Sequence, residues 1–178
     1  QARTWPAHIG VSVNLSPIQF ESPSLLPTIV NTLAATGIEP HRLELEITET
    51  ALLGTEGKNI RILEAIRELG VRVSIDDFGT GYSSLAYLRN FRFDKIKIDR
   101  RFIQGLRDNE SDTAIVRSII MLSQNIGVGT TAEGIETEDQ LMSVASEGCK
   151  LGQGYLFSRP LTADDATTFI ERYKAAES

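Results

Sequence analysis

Six short segments of the chain alternate apolar and polar residues, which is the pattern of β-strands that bury one face. These predicted strands lie at residues 9–15, 43–48, 71–76, 95–99, 128–132 and 151–156. Segments with helical periodicity lie between or after them, at residues 23–36, 56–69, 111–126 and 137–147, from about residue 163 and, as a short helix, near Ser83-Ser84. Strands that alternate with helices predict a parallel sheet with helices packed against it.

The polar positions of these strands share one face of the sheet, because successive side chains of a strand point to opposite sides. Apolar residues such as Val73, Ile75 and Ile96 occupy the other face. The polar face and the strand ends carry Ser12, Asn14, Glu44, Glu46, Ser74, Asp76, Asp77, Lys95, Lys97 and Asp99. Carboxylates gathered in one small volume need metal ions or protons to compensate their charge. The pattern therefore predicts a metal site.

The number of strand–helix units restricts the fold. A closed eight-stranded barrel of such units has about 250 residues, whereas this chain has six units in 178 residues. An open sheet and a barrel that lacks two strands both fit this count. The polar strand face favours the barrel, because central strands of doubly wound sheets are apolar on both faces. We therefore predict an α/β fold, a modified (β/α)8 TIM-type barrel with about six of its eight units present, in which residues 1–178 form a single domain.

Composition narrows the functional classes. Apolar residues make up 41% of the chain, charged residues make up 24%, and the net charge is −6. No apolar run reaches the roughly 20 residues that span a bilayer, and no basic tract indicates DNA or RNA binding. The single cysteine, Cys149, excludes an internal disulfide and is expected to be a small buried hydrophobe. The chain begins with Gln1, which suggests a piece of a longer protein.

Six motifs occur in order along the chain: VSVNLS at 11–16, LEITE at 45–49, DDFGTGYSS at 76–84, KIDR at 97–100, AEGIET at 132–137 and QGYLFSRP at 153–160. Together they closely resemble the EAL-domain family, bacterial phosphodiesterases that hydrolyse the second messenger cyclic di-GMP to linear 5'-pGpG. The resemblance covers essentially the whole chain. It implies a modified (β/α)8 barrel and two divalent metal ions, Mg²⁺ or Mn²⁺, for which oxygen ligands are suited.

The resemblance also implies site residues. Those expected on the metal ions are Asn14, Glu46, Asp76, Asp77 and Glu133. Lys97 is expected to orient or activate the attacking water, with Glu136 in support. Gln153 and Arg159 are expected to contact the substrate. Glu49 is expected to brace the loop that follows Asp77.

The expected partners follow from the same resemblance. They are cyclic di-GMP, a second copy of the chain through the region after the 77–84 loop, and an upstream sensory or GGDEF domain. The expected location is the cytoplasm. Upstream segments could anchor the intact protein to the membrane.

One family feature is missing from this chain. The Glu-Ala-Leu motif that names the family belongs on an earlier strand, and its glutamate is a metal ligand. Glu64-Ala65-Ile66 is similar in letters, but it lies in a predicted helix. We therefore interpret the chain as lacking its first two strands, which would leave open sheet edges. The chain alone is expected to be poorly stable or to associate, and to be impaired as an enzyme.

Two other functions stay open. The domain could be a non-catalytic sensor or regulatory module that binds cyclic di-GMP, which loss of the upstream glutamate would favour. Alternatively, an unrelated barrel enzyme could use Lys97 as a base on a metal-bound carbon acid.

Several residues also have structural interpretations. Glu44 is expected to pair with Lys95 or Arg72, and Asp99 with a neighbouring basic residue. Tyr155 has two open roles, because an aromatic ring in this position either packs against the protein or stacks on a guanine.

Overall fold

The computed structural model describes residues 1–52, 58–80, 88–89, 91–106 and 109–176. Within these residues, six parallel strands form one sheet in chain order, so that each strand pairs with the next along the sequence. The strands are β1 (Val11–Asn14), β2 (Leu43–Thr48), β3 (Arg72–Phe78), β4 (Lys95–Ile98), β5 (Gly129–Ala132) and β6 (Leu151–Gly152). With the helices between them, they form a half-barrel, which confirms the predicted fold class.

Helices connect the strands. They are α1 (Pro17–Glu21), α2 (Leu25–Thr36), α3 (Glu49–Leu52), α4 (Lys58–Glu68), α5 (Arg100–Gln104), α6 (Glu110–Ile126), α7 (Glu138–Ser146) and α8 (Ala163–Ala176), with short 3-10 helices at Ala2–Thr4 and Pro40–Arg42. The longer predicted helices are all present. The short helices α1, α3 and α5 were not predicted, and the helix predicted near Ser83-Ser84 lies outside the described residues.

Local signals explain where the main helices begin and end. Gly37, with φ 64°, ends α2 in the left-handed conformation that glycine adopts without strain. Thr137 caps the start of α7, because its side-chain oxygen accepts a hydrogen bond from the Gln140 N–H at 3.2 Å. The Gln140 side-chain oxygen in turn accepts from the Thr137 N–H at 3.1 Å, which completes a capping box.

The apolar core lies between the sheet and its covering helices. Strand residues Ile47, Val73 and Ile96 are fully buried there, and Leu63 of α4 and Val116 of α6 pack into the same cluster. Cys149 is also buried, as expected. No helix in the described ranges is both long and apolar enough to cross a bilayer.

The last strand is shorter than predicted. Residues 151–156 were expected to form it, but pairing ends at Gly152. The chain then turns, because the Phe157 N–H donates to the Gly154 carbonyl at 3.1 Å and the Leu156 N–H donates to the Ile135 carbonyl at 3.0 Å. These bonds replace the ladder and bring residues 153–157 over the carboxyl end of β5.

Candidate active site at the carboxyl ends of the strands

Lys97 is buried at the centre of a cluster of carboxylates. Its ammonium nitrogen is 2.5 Å from a Glu46 oxygen, 3.0 Å from an Asp76 oxygen and 2.7 Å from a Glu133 oxygen. The Lys97 side chain is 4% exposed. A lysine ammonium has three donors, so one cation joins carboxylates from β2, β3 and the end of β5. The convergence predicted from strand alternation is present in the structure.

The pKa values within this cluster follow from burial and charge. Burial alone would lower the pKa of Lys97, but hydrogen bonds and charge from Glu133, Glu46 and Asp76 outweigh it and raise the pKa above its usual range. Burial raises the pKa of Glu133, and the charges of Asp76 and Glu46 raise it further against the opposing effect of Lys97. Lys97 is therefore a stable cation that can hold groups in place, and it is a poor acceptor of a proton at neutral pH.

Asp76, Asp77 and Glu133 offer the best-defined cation ligands. One carboxylate oxygen from each lies within 4.8 Å of the others. Burial raises the pKa of Asp77, as do a hydrogen bond with Asp99 and the charge of Asp76. This crowding of hard oxygen ligands fits a divalent cation such as Mg²⁺ or Mn²⁺, which would relieve the repulsion.

The other two expected ligands lie next to this group. Glu46 contacts Lys97, as described above. Asn14 ends β1 and is the register partner of Glu46 on the neighbouring strand. All five residues therefore lie at one end of the sheet, and their roles as metal ligands stay predictions.

A backbone irregularity brings Asp77 to the cluster. The register between β3 and β4 shifts between Ile75 and Phe78, and Asp77 has φ 52°, which is uncommon for a residue other than glycine. Simple alternation would turn Asp77 away from Asp76. The shift and the left-handed backbone instead place both carboxylates in one group, and such local strain is typical of functional sites.

Glu49 fixes the start of the loop after β3. Its carboxylate accepts a hydrogen bond from the Gly79 N–H at 3.0 Å. Gly79 has φ 95°, and a Cβ there would lie 3.0 Å from the Phe102 ring, so glycine suits this turn. The bracing role expected for Glu49 would act through this contact, and it stays a prediction. Residues 81–84 of this loop lie outside the described residues.

A cavity of about 250 Å³ opens beside the cluster. Its lining is Asp77, Asp99, Arg100, Glu133, Gly134, Glu136, Gln153, Gly154 and Tyr155. The predicted residues Glu136 and Gln153 thus border the same space as the acidic cluster. Arg159 is not among the lining residues. Its guanidinium lies over the ring of the lining residue Tyr155, 4.9 Å from the ring centre.

One charged lining residue, Arg100, was not predicted as part of the site. Arg100 supplies positive charge to the cavity wall and could have been noticed because it follows the KID residues at a strand end. Asp99 lines the cavity and also pairs with Arg101 at 3.1 Å, which agrees with its expected basic partner.

Comparison with known proteins gives a consistent match. The family model described as the EAL domain matches residues 1–160. The chain is 43% identical over 166 residues to the cyclic di-GMP phosphodiesterase NbdA of Pseudomonas aeruginosa, which covers 93% of this chain and 21% of that protein. It spans about a fifth of the length of the curated relatives first found.

Two solved structures are also similar. The EAL domain of Mycobacterium smegmatis DcpA matches with a TM-score of 0.89 and 33% identity, covering 96% of this chain and 77% of that one. Klebsiella pneumoniae BlrP1, in a manganese and cyclic di-GMP complex at pH 9.0, matches with a TM-score of 0.79 and 34% identity, covering 85% of this chain and 39% of that one.

Proposed function

Because the chain belongs to the EAL-domain family, we propose that it supplies most of the active site of a phosphodiesterase that hydrolyses cyclic di-GMP to linear 5'-pGpG. The observation that carries this proposal is the Lys97 ammonium bound by Glu46, Asp76 and Glu133 beside an open cavity. The names of the similar proteins support the choice of substrate, since NbdA is a cyclic di-GMP phosphodiesterase and BlrP1 was solved with cyclic di-GMP.

Two Mg²⁺ or Mn²⁺ ions are part of the proposal. Asn14, Glu46 and Asp76 would hold the first ion, and Asp77 and Glu133 would hold the second, with Asp76 between them. The manganese in the BlrP1 complex supports a divalent cation. When bound, such ions supply a water of lowered pKa and neutralise charge on a phosphodiester.

The residues around this site would position the metal ligands, the attacking water and the substrate. Lys97 keeps the carboxylates of three strands in fixed orientations, and as a cation it can orient a water or a phosphate oxygen. Glu136 and Gln153 border the cavity, where a carboxylate and an amide can hydrogen-bond the water shell and the polar edges of a guanine. Arg159 would act with Tyr155, because its guanidinium lies over that ring.

The surrounding assembly is proposed on the resemblance alone. We propose that residues 1–178 belong to one EAL domain that acts as a homodimer and is joined to a sensory or GGDEF domain. The small share of the curated relatives that this chain spans is compatible with such further domains.

The test is turnover of cyclic di-GMP by the natural full-length protein in Mg²⁺ or Mn²⁺, with products resolved by chromatography. Asp76→Asn is expected to lower turnover at least about 100-fold, because an amide replaces a charged ligand. Glu64→Gln, at an exposed carboxylate on α4, is the control and should leave turnover unchanged.

The outcomes separate the possible functions. Near-normal turnover of Asp76→Asn at saturating Mg²⁺ would contradict the assignment of Asp76. Tight binding of cyclic di-GMP by the unmodified protein without any product would identify the non-catalytic sensor. Neither binding nor product would overturn the proposed function.

A further inference from the structure

A second ion pair lies on the same strands as the Lys97 cluster, nearer to their amino ends. The Lys95 ammonium on β4 is 3.0 and 2.9 Å from the two carboxylate oxygens of Glu44 on β2. The Glu44 side chain is 8% exposed and the Lys95 side chain 24% exposed. Because β3 lies between β2 and β4, this pair crosses the middle strand.

The two ion pairs repeat one arrangement at an interval of two residues. Glu44 precedes Glu46 by two positions on β2, and Lys95 precedes Lys97 by two positions on β4. Residues two apart on a strand face the same side, so all four side chains share the polar face. Lys95 reaches Glu44 with the same offset across β3 that Lys97 uses to reach Glu46.

Ser74 of β3 lies between Glu46 and Lys95. It is the register partner of Glu46 on one side and of Lys95 on the other. Glu46 is therefore directly across from Lys95, at the two-strand separation that each lysine already bridges. Ser74 is small and fully buried, so its side chain would not keep the two groups apart. If Glu44 did not bind Lys95, Glu46 would be the carboxylate nearest to Lys95 in register.

We propose that Glu44 is a positioning residue that holds Lys95 away from Glu46. The inference rests on the proposed function, because Glu46 is one of the proposed metal ligands. By binding the Lys95 ammonium through both oxygens, Glu44 leaves Glu46 to Lys97 and to a divalent cation. A second ammonium on Glu46 would add positive charge at the cation site, and like charges at such short range oppose binding.

Glu44→Gln in the natural full-length protein tests the inference, because glutamine keeps the length of the side chain and removes its charge. A crystal structure of the metal-free variant is expected to place the Lys95 ammonium on Glu46. Calorimetric titration with Mn²⁺ is expected to give binding at least about 10-fold weaker than in the unmodified protein, the usual effect of losing a group that supports a metal ligand.

A second substitution tests whether the released Lys95 ammonium causes the loss of Mn²⁺ affinity. Adding Lys95→Met to Glu44→Gln removes the released ammonium, so Mn²⁺ affinity is expected to return to within about twofold of the unmodified value. Loss of both partners of a buried ion pair can also restore stability, so the place of the Lys95 ammonium in the Glu44→Gln structure is what distinguishes positioning from a purely structural role. Glu44→Asp keeps the carboxylate charge, so this variant is expected to bind Mn²⁺ as tightly as the unmodified protein. It tests the same inference if Glu44→Gln does not fold.

The control is an ion pair of the same kind that joins α6 to the end of α7 and includes no strand residue. Arg117 of α6 binds both oxygens of Glu147 at 2.8 and 2.7 Å. Glu147→Gln, alone and with Arg117→Met, should leave Mn²⁺ affinity unchanged.

Three results would overturn the inference. They are a Lys95 ammonium that stays away from Glu46 in the Glu44→Gln structure, a double variant that binds Mn²⁺ no better than Glu44→Gln, and a folded Glu44→Asp with 10-fold weaker binding. None of these readouts needs turnover. If the unmodified protein hydrolyses no cyclic di-GMP while Mn²⁺ binding follows the expected order, the proposed function fails and the role of Glu44 stands.

Discussion

Ser74 illustrates how one small side chain makes room for two ion pairs. It is 0% exposed, and its hydroxyl oxygen has no hydrogen-bond partner among the residues that the structure describes. Ser74→Leu would add bulk where the Lys95 and Lys97 side chains cross β3. Overpacking of a buried site costs about 1–3 kcal/mol. For Ser74→Leu we expect the free energy of unfolding, measured by urea titration, to fall by at least about 2–3 kcal/mol.

Ser74→Ala is the matched control for this prediction. It removes a hydroxyl that has no partner in the described part of the chain, so the change in the free energy of unfolding should stay within about 0.5 kcal/mol. Equal losses in the two variants would contradict the packing argument, because the hydroxyl and not the available space would then be responsible.

The position of the Asp77 side chain beside Asp76 could not be predicted from the pattern of residues along the strand. Alternation along a strand places neighbouring side chains on opposite faces, so the pattern alone separates Asp77 from Asp76. The register shift after Ile75 and the positive φ of Asp77 bring the two together. Nothing in the alternation of apolar and polar residues encodes that shift, so Asp77 was linked to the site by its position at a strand end and by the family resemblance, not by the face on which alternation places it.

At the scale of the elements, long periodic segments were predictable and short ones were not. The strands that carry Glu46 and Lys97 followed from alternation, because burial of one face dictates it. The choice between Lys95 and Arg72 as the partner of Glu44 needed the three-dimensional offset between β2 and β4. The early end of β6 also escaped prediction, because the turn at residues 154–157 is closed by a bond to the distant Ile135 carbonyl.

The link between α6 and the end of α7 predicts a pH dependence of stability. The hydrogen bond from Arg117 lowers the pKa of the Glu147 carboxyl, burial opposes this effect, and the positive charge of Arg117 adds to it. A group whose pKa is lowered by folding stabilises the folded state above its ordinary pKa, and this contribution is lost as the pH falls through the lowered value. Glu147→Gln should therefore melt below the unmodified protein at pH 7.

The same comparison at acidic pH completes this prediction. The difference in melting temperature should shrink as the pH falls below about 4.3, the ordinary pKa of glutamate, and vanish once Glu147 is protonated in the folded state. Thermal melts by circular dichroism between pH 7 and pH 3 would measure it. A difference that stays constant across this range would show that Glu147 acts through packing and not through its charge.

At the scale of the whole molecule, the sheet ends in two edge strands. Among the described strands, β1 pairs only with β2, and β6 pairs only with β5. Apolar side chains are exposed along these edges, with Val13 at 46% and Leu151 at 50% exposure. Unpaired backbone groups beside exposed apolar side chains favour pairing with another chain.

We therefore expect the 178-residue chain by itself to associate at micromolar concentrations. Val13→Lys should reduce that association, because a lysine on an edge strand opposes strand pairing through its charge and its hydration. Val30→Lys is the matched control, since Val30 is 41% exposed and lies on the helix α2, where it takes no part in strand pairing. Size-exclusion chromatography with light scattering distinguishes the variants. A chain that is monomeric before any substitution would contradict association through β1. An equal effect of Val13→Lys and Val30→Lys would also contradict it, and would indicate that the helical surface takes part in the association.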